Sequence, residues 1–133
     1  MSQNIELLYR SYDALNRRDL DAYLALLDPE VEFTPRISEM ESGSSFCGHG
    51  GIREWWRTLF AVFPDFRSEV LDVREPRRDS LIVRIRVRGH GVEGGVPFEE
   101  VWWQAIKARD GKAIWCRNFG TEAEALDAFG LPE

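Results

Sequence analysis

The stretch from Ser80 to Phe119, SLIVRIRVRGHGVEGGVPFEEVWWQAIKARDGKAIWCRNF, decides the fold class. Ser80 to His90 alternates strictly. Leu81, Val83, Ile85 and Val87 take one face, and Ile82, Arg84, Arg86 and Arg88 the other. Successive strand residues point to opposite faces, so this is a strand with one apolar, buried side. Gly89–Gly95 is a glycine-laden turn. Val96 to Ala108 reads as another long strand, and Asp110-Gly111 makes a tight hairpin into Ala113–Phe119. One further strand, Phe66 to Arg74, precedes the stretch. The C-terminal half is an antiparallel β region.

Helical periodicity dominates upstream. In Ser2–Arg18, Ile5, Leu8, Tyr9, Tyr12 and Leu15 form one stripe. Asp19 caps a second helix, Leu20 to Leu27, which Asp28-Pro29 ends. Val31–Thr34 is a short strand closed by Pro35. Residues 36–48, polar and rich in Gly and Ser, read as a loop. A third helix spans Ile52 to Phe63, with a wide apolar stripe of Ile52, Trp55, Trp56, Leu59, Phe60 and Phe63. A terminal helix, Thr121 to Phe129, carries a capping box (Thr121 with Glu124) and stops at Gly130. The order ααβαββββα segregates helices from an antiparallel sheet and defines an α+β domain.

Composition bounds the function. The 133 residues carry a formal charge of −6, with 44% hydrophobic and 12% aromatic residues, five of them Trp. That content supports one folded domain over 1–133. The acidic balance argues against a nucleic-acid partner, which wants a basic face. No apolar run approaches a membrane span, and no secretory h-region opens the chain, so a cytoplasmic location and no membrane partner are expected. Cys47 and Cys116 are then expected as free thiols. No ligand-spaced cluster of His, Cys and carboxylates predicts a metal site, and no phosphate-binding or dinucleotide motif predicts a cofactor.

Four strings in order, ALNRRDLDAYLALLDPEVEF, GHGGIREWW, RDGKAIWCRNF and EAEALDAFGLP, resemble the NTF2-like superfamily, in particular its SnoaL-like branch. The resemblance spans essentially the whole chain. It implies a curved antiparallel sheet wrapped around three helices, forming a cone with an internal pocket. It also implies polyketide cyclase or ketosteroid isomerase relatives, and frequent dimers through the outer sheet face. Ketosteroid isomerase chemistry is not carried over. Tyr12 is one position off the isomerase tyrosine. The isomerase base falls at Phe33 or Thr34, neither of which accepts a proton near neutral pH. The second acidic partner falls near Gln104.

Register against the family turns Phe98, Glu100, Trp102, Gln104 and Ile106 inward, together with Ile114, Cys116 and Asn118. Glu100, held beside an indole in a closed pocket, would have a raised pKa and serve as general acid or base. Its alternative place is the open rim, or a pair with an arginine. Tyr12, Phe33, Trp56, Phe60, Trp102, Gln104, Cys116 and Asn118 are the candidate ligand-binding residues. Gln104 and Asn118 either bind a ligand oxygen or satisfy each other. Trp55 and Trp56 either line the pocket or fill the core, and the Trp56 indole N–H is expected to find Tyr12. Cys116 reads as a small apolar filler, and His49 as a local hydrogen-bonding or capping residue. His90 falls at a strand end by the rim.

On the outer face, Arg86, Val101, Trp103 and Trp115 form a surface too apolar to stand open, from which a homodimer is expected. Three functional classes follow. One is a cofactor-independent isomerase, cyclase, dehydratase or hydrolase acting on a small hydrophobic oxygenated compound. The others are a non-catalytic binder of such a compound and a dimerisation module.

Overall fold

A computed structural model describes residues 2–36 and 45–132. In chain order its elements are α1 (Gln3–Asn16), α2 (Leu20–Ala25), β1 (Leu27–Thr34), β2 (Phe46–Cys47), α3 (Gly48–Val62), β3 (Arg67–Arg77), β4 (Ser80–His90), β5 (Pro97–Arg109), β6 (Lys112–Phe119) and α4 (Glu122–Asp127). Side-chain caps start the helices where the residue types imply. Ser2 Oγ accepts from the Ile5 N–H at 3.1 Å and the Asp19 carboxylate from Ala22 at 3.1 Å. Thr121 Oγ1 accepts from Glu124 at 3.2 Å and donates to that residue's carboxylate at 3.0 Å. Each satisfies an N–H that the first helical turn leaves without a backbone partner. Beyond α4, Gly130 adopts φ +69° and the Leu131 N–H returns to Leu126 O at 3.0 Å, the left-handed stop expected of glycine there.

The six strands order as β2-β1-β6-β5-β4-β3 in one curved, unclosed sheet. Four pairs are antiparallel, but β1 runs parallel to β6, so the sheet is mixed rather than wholly antiparallel. A hairpin forces antiparallel pairing, and no hairpin joins β1 to β6. Strand β1 also starts at Leu27, ahead of the expected Val31. Leu27 faces Ala113, and the Ala113 N–H donates to Leu26 O at 3.1 Å.

Part of the expected loop is a strand, since β2 pairs with β1 through Cys47 and Phe46. Residues 37–44 of that loop lie outside the described residues. Helix α3 begins at Gly48 rather than Ile52. Gly48 sits at φ +71°, where an L side chain is strained, and a Cβ there would lie 3.2 Å from Pro29 O. His49 Nε2–H donates to Leu27 O at 2.9 Å, a local tie between α3 and β1.

Helices α1 and α3 bury their stripes against the inner sheet face. Leu81, Val83, Ile85 and Val87 are at most 2% exposed, as their alternation requires. Each such side chain contributes about 1.5–3 kcal/mol on leaving water. The arginines of β4 lie outward, where Arg86 pairs with Glu69 on β3 at 3.0 Å. Both partners are well exposed, so the pair is worth at most about 1 kcal/mol. Asp110 and Gly111, at φ +53° and +76°, close the β5–β6 hairpin in the left-handed turn their sequence implies. A bulge at Lys107/Ala108 shifts the start of β6, so Ala113 rather than Ile114 joins the inner core.

The outer face departs from expectation. Helix α4 and the residues after it fold back across β4, β5 and β6. Ile82, Ala105, Ala125, Leu126 and Phe129 form a second small core, with Trp103, Trp115, Phe119 and Leu131 packed against it. The Trp115 and Phe129 rings lie 6.1 Å apart, and the Lys107 ammonium sits 5.1 Å from the Trp115 ring centre. Trp103 and Trp115 are thus half-buried within the chain and need no second subunit to cover them. Val101, 45% exposed, remains open on that face. Among the described residues, no helix is long and apolar enough to cross a membrane.

Candidate functional site

The inner sheet face and the helices do not close completely. A cavity of about 30 Å³ remains between α1, α2, α3 and strands β1 and β3 to β6, lined by Tyr12, Tyr23, Phe33, Trp55, Phe66, Ser68, Trp102, Gln104 and Asn118 among others. A second cavity of about 30 Å³ lies on the other side of Tyr12 and Gln104, reaching Cys116, Leu81 and Ile106. One water needs roughly 10–15 Å³ by this kind of measure, so each space takes one or two waters.

A directed chain of hydrogen bonds separates the two spaces. The Tyr12 O–H donates to Gln104 Oε1 at 2.7 Å, and Gln104 Nε2–H donates to Asn118 Oδ1 at 2.8 Å. Tyr12 comes from α1, and Gln104 and Asn118 are directly opposed on β5 and β6. Burial raises the Tyr12 hydroxyl pKa well above its usual value, and Tyr23 and Cys116 add to that effect. Tyr12 therefore stays protonated and acts as a donor. At the floor, Asn16 and Ser68 exchange two hydrogen bonds, Asn16 Nδ2–H to Ser68 O at 2.8 Å and Ser68 N–H to Asn16 Oδ1 at 3.0 Å, tying α1 to β3.

Aromatic rings make the remaining wall. Phe33 meets Trp55 edge-on at 4.7 Å, and Tyr23 lies 6.2 Å from Trp55. The Trp55 indole N–H is shielded from solvent and has no hydrogen-bond partner among the described residues. Such a group costs about 1–3 kcal/mol unless something accepts from it. Cys116 faces the second cavity, where burial pushes its thiol up to about 12. It is a small packing residue and a poor nucleophile.

Several expected positions fall elsewhere. Glu100 is exposed, and its carboxylate accepts from the Trp102 indole N–H at 2.7 Å. It stands at the exposed end of the inner strand face rather than in a closed pocket. Trp56 and Phe60 do not line either interior cavity. Trp56 packs on Tyr23 and Phe60, each with ring centres 5.2 Å away, and Phe60 lies under the Arg18 guanidinium at 4.0 Å. Nor does Trp56 bond Tyr12, whose hydroxyl is engaged with Gln104. The structure adds lining residues that the sequence does not single out, two of them beside the polar chain. Tyr23 on α2 lines both cavities, and Ser68 on β3 lines the first. Tyr23 sits in a short helix with no clear stripe, and Ser68 is polar on a buried face, so neither carries a periodic signal. His90, at the end of β4, donates its backbone N–H to Asp65 at 2.7 Å, and its ring Nδ1 meets the same carboxylate at 2.7 Å, an exposed pair away from the cavity.

Known proteins share this architecture. A crystal structure of an NTF2-like protein of unknown function from Burkholderia pseudomallei superposes with TM-score 0.81 at 24% identity, covering 96% of this chain and 97% of that one. TerC co-crystallised with polyporic acid gives 0.79 at 24% identity, over 96% and 95%. IdmH, a putative polyketide cyclase from Streptomyces antibioticus, gives 0.75 at 23% identity, over 98% and 100%. A search of curated proteins finds no match. The sequence profile of the SnoaL-like domain matches residues 8–115. With that match over most of its length and with NTF2-like structures as its neighbours, the chain belongs to the SnoaL-like domain family.

Proposed function

We propose that the protein binds a small, hydrophobic, oxygenated molecule in the interior cavity, with Phe33, Trp55 and Trp102 against its ring faces and Tyr12, Gln104 and Asn118 ordering its polar end. The observation that carries this reading is the coexistence of an aromatic wall with one short, directed polar chain in an otherwise apolar interior. TerC holding polyporic acid in the same fold is consistent with it. The present cavity is smaller than the roughly 300 Å³ that drug-sized ligands occupy, so binding requires wall side chains to move apart. Binding without turnover is favoured over catalysis. Among the described lining residues the only titratable side chains are tyrosines, held protonated by burial.

Catalysis by Glu100 is the second reading. Its carboxylate is fixed by Trp102, which also lines the cavity, so it stands where a ligand would pass. A homodimer on the open part of the outer sheet, around Val101 and Arg86, accompanies either reading.

Binding is tested by titrating a panel of planar hydroxylated aromatics, polyporic acid among them, and steroids against tryptophan fluorescence. Saturable quenching that weakens in Asn118→Ala is expected. If no member saturates, the binding reading fails. Turnover of a bound member, abolished in Glu100→Gln, would establish the catalytic reading instead.

A further inference from the structure

We infer that the cavity selects ligands bearing a hydrogen-bond-accepting oxygen, and that the Trp55 indole N–H and the Asn118 amide N–H are the specificity-determining donors. The inference rests on the interior cavity being the ligand site. The Tyr12 hydroxyl, one of the candidate ligand-binding groups, is already committed to Gln104 Oε1. Gln104 in turn gives an N–H to Asn118 Oδ1. The direction of this chain has a consequence at its far end. Asn118 has its carbonyl oxygen occupied, and its Nδ2 hydrogens have no partner among the described residues. Trp55, across the cavity wall on α3, adds a second N–H that is buried and unpaired. An indole nitrogen only donates, and an amide with its oxygen engaged has only donors to offer. Both groups are neutral, and no charged side chain lines the cavity among the described residues. The set matches a carbonyl oxygen, or the oxygen of an ionised phenol or enol. A pure hydrocarbon in the opened cavity would leave the buried Trp55 N–H unpaired and offer nothing to the Asn118 amide.

The test uses 1-tetralone and its hydrocarbon counterpart tetralin, which are nearly equal in shape, with binding to the full chain followed by calorimetry. The expected result is a preference of about tenfold for the ketone, the size of one satisfied buried donor. Trp55→Phe, which keeps a ring but removes the N–H, and Asn118→Ala should each weaken 1-tetralone more than tetralin and so cut that preference severalfold. Should Trp55→Phe fold poorly, the indole N–H resonance of Trp55 in the unaltered protein supplies the second readout. It should move downfield with 1-tetralone and stay in place with tetralin. Equal affinity for the two probes overturns the donor assignment while leaving the cavity as a binding site. A ketone preference that survives both substitutions also overturns it. If neither probe binds, the cavity reading falls and this inference with it.

Discussion

The Tyr12 hydroxyl on α1 donates a 2.7 Å hydrogen bond to Gln104 Oε1 on β5, between residues 92 positions apart in sequence. Both residues are buried, so the bond joins helix to sheet away from bulk solvent. Tyr12→Phe keeps the ring and strands the Gln104 oxygen. We expect a loss of about 1–3 kcal/mol in urea unfolding. Adding Gln104→Leu should recover part of it, because both halves of the polar pair are then gone. An unchanged midpoint in Tyr12→Phe would show that the bond carries no stability.

Cys116 and Cys47 should differ in reactivity. Cys47 is exposed and Cys116 is buried, and both are free. A thiol reagent such as Ellman's should titrate one group per native chain and two in urea. Burial raises the Cys116 thiol from 9.0 to about 12. A raised folded value means that the contribution is fully present below pH 9.0, and is lost as pH rises from there through about 12. Tyr12 and Tyr23 are raised in the same direction and add to the decline at higher pH. Cys116→Ala should therefore lose stability less steeply than the parent above pH 9, with a constant offset below it. Parallel curves throughout would contradict the assignment.

Phe129 anchors the outer core. It is 7% exposed and sits against Trp115. Phe129→Ala should cost about 3 kcal/mol, as a buried Phe truncation does. It should also shift tryptophan emission to the red as Trp115 meets water. Unchanged emission would mean that α4 does not protect Trp115 in solution.

Val101 tests the proposed dimer. It stands opposite Arg86 on the neighbouring strand and is 45% exposed. Val101→Arg places like charges together on the proposed contact. If the parent sediments as a dimer, the variant should shift toward monomer, with a small drop in urea midpoint from the added charge opposite Arg86. A monomeric parent would remove the dimer outright.

Much of the fold is legible in the chain because its signals are local. The alternation of Leu81, Val83, Ile85 and Val87 with arginines assigns faces to β4 without any partner strand. Asp19, Thr121, Asp110-Gly111 and Gly130 mark ends and turns, because caps and left-handed turns depend on one to four neighbouring residues. The inward placement of Gln104 and Asn118 follows once those faces and the hairpin are known, since they are directly opposed across β5 and β6.

Only the tertiary structure decides the rest. Trp55 and Trp56 share one apolar stripe, yet adjacent helix positions differ by about 100° around the axis, and the tilt of α3 on the sheet turns Trp55 to the cavity. Glu100 lies on the inner-facing side of its strand, but only the length of the walls around it determines that this position is the exposed rim. Burial of Trp103 and Trp115 by the chain's own terminal helix, and the parallel union of β1 with β6, are contacts between segments distant in sequence. Periodicity reports which face of an element is apolar. Which other segment covers that face is set by packing the whole chain at once.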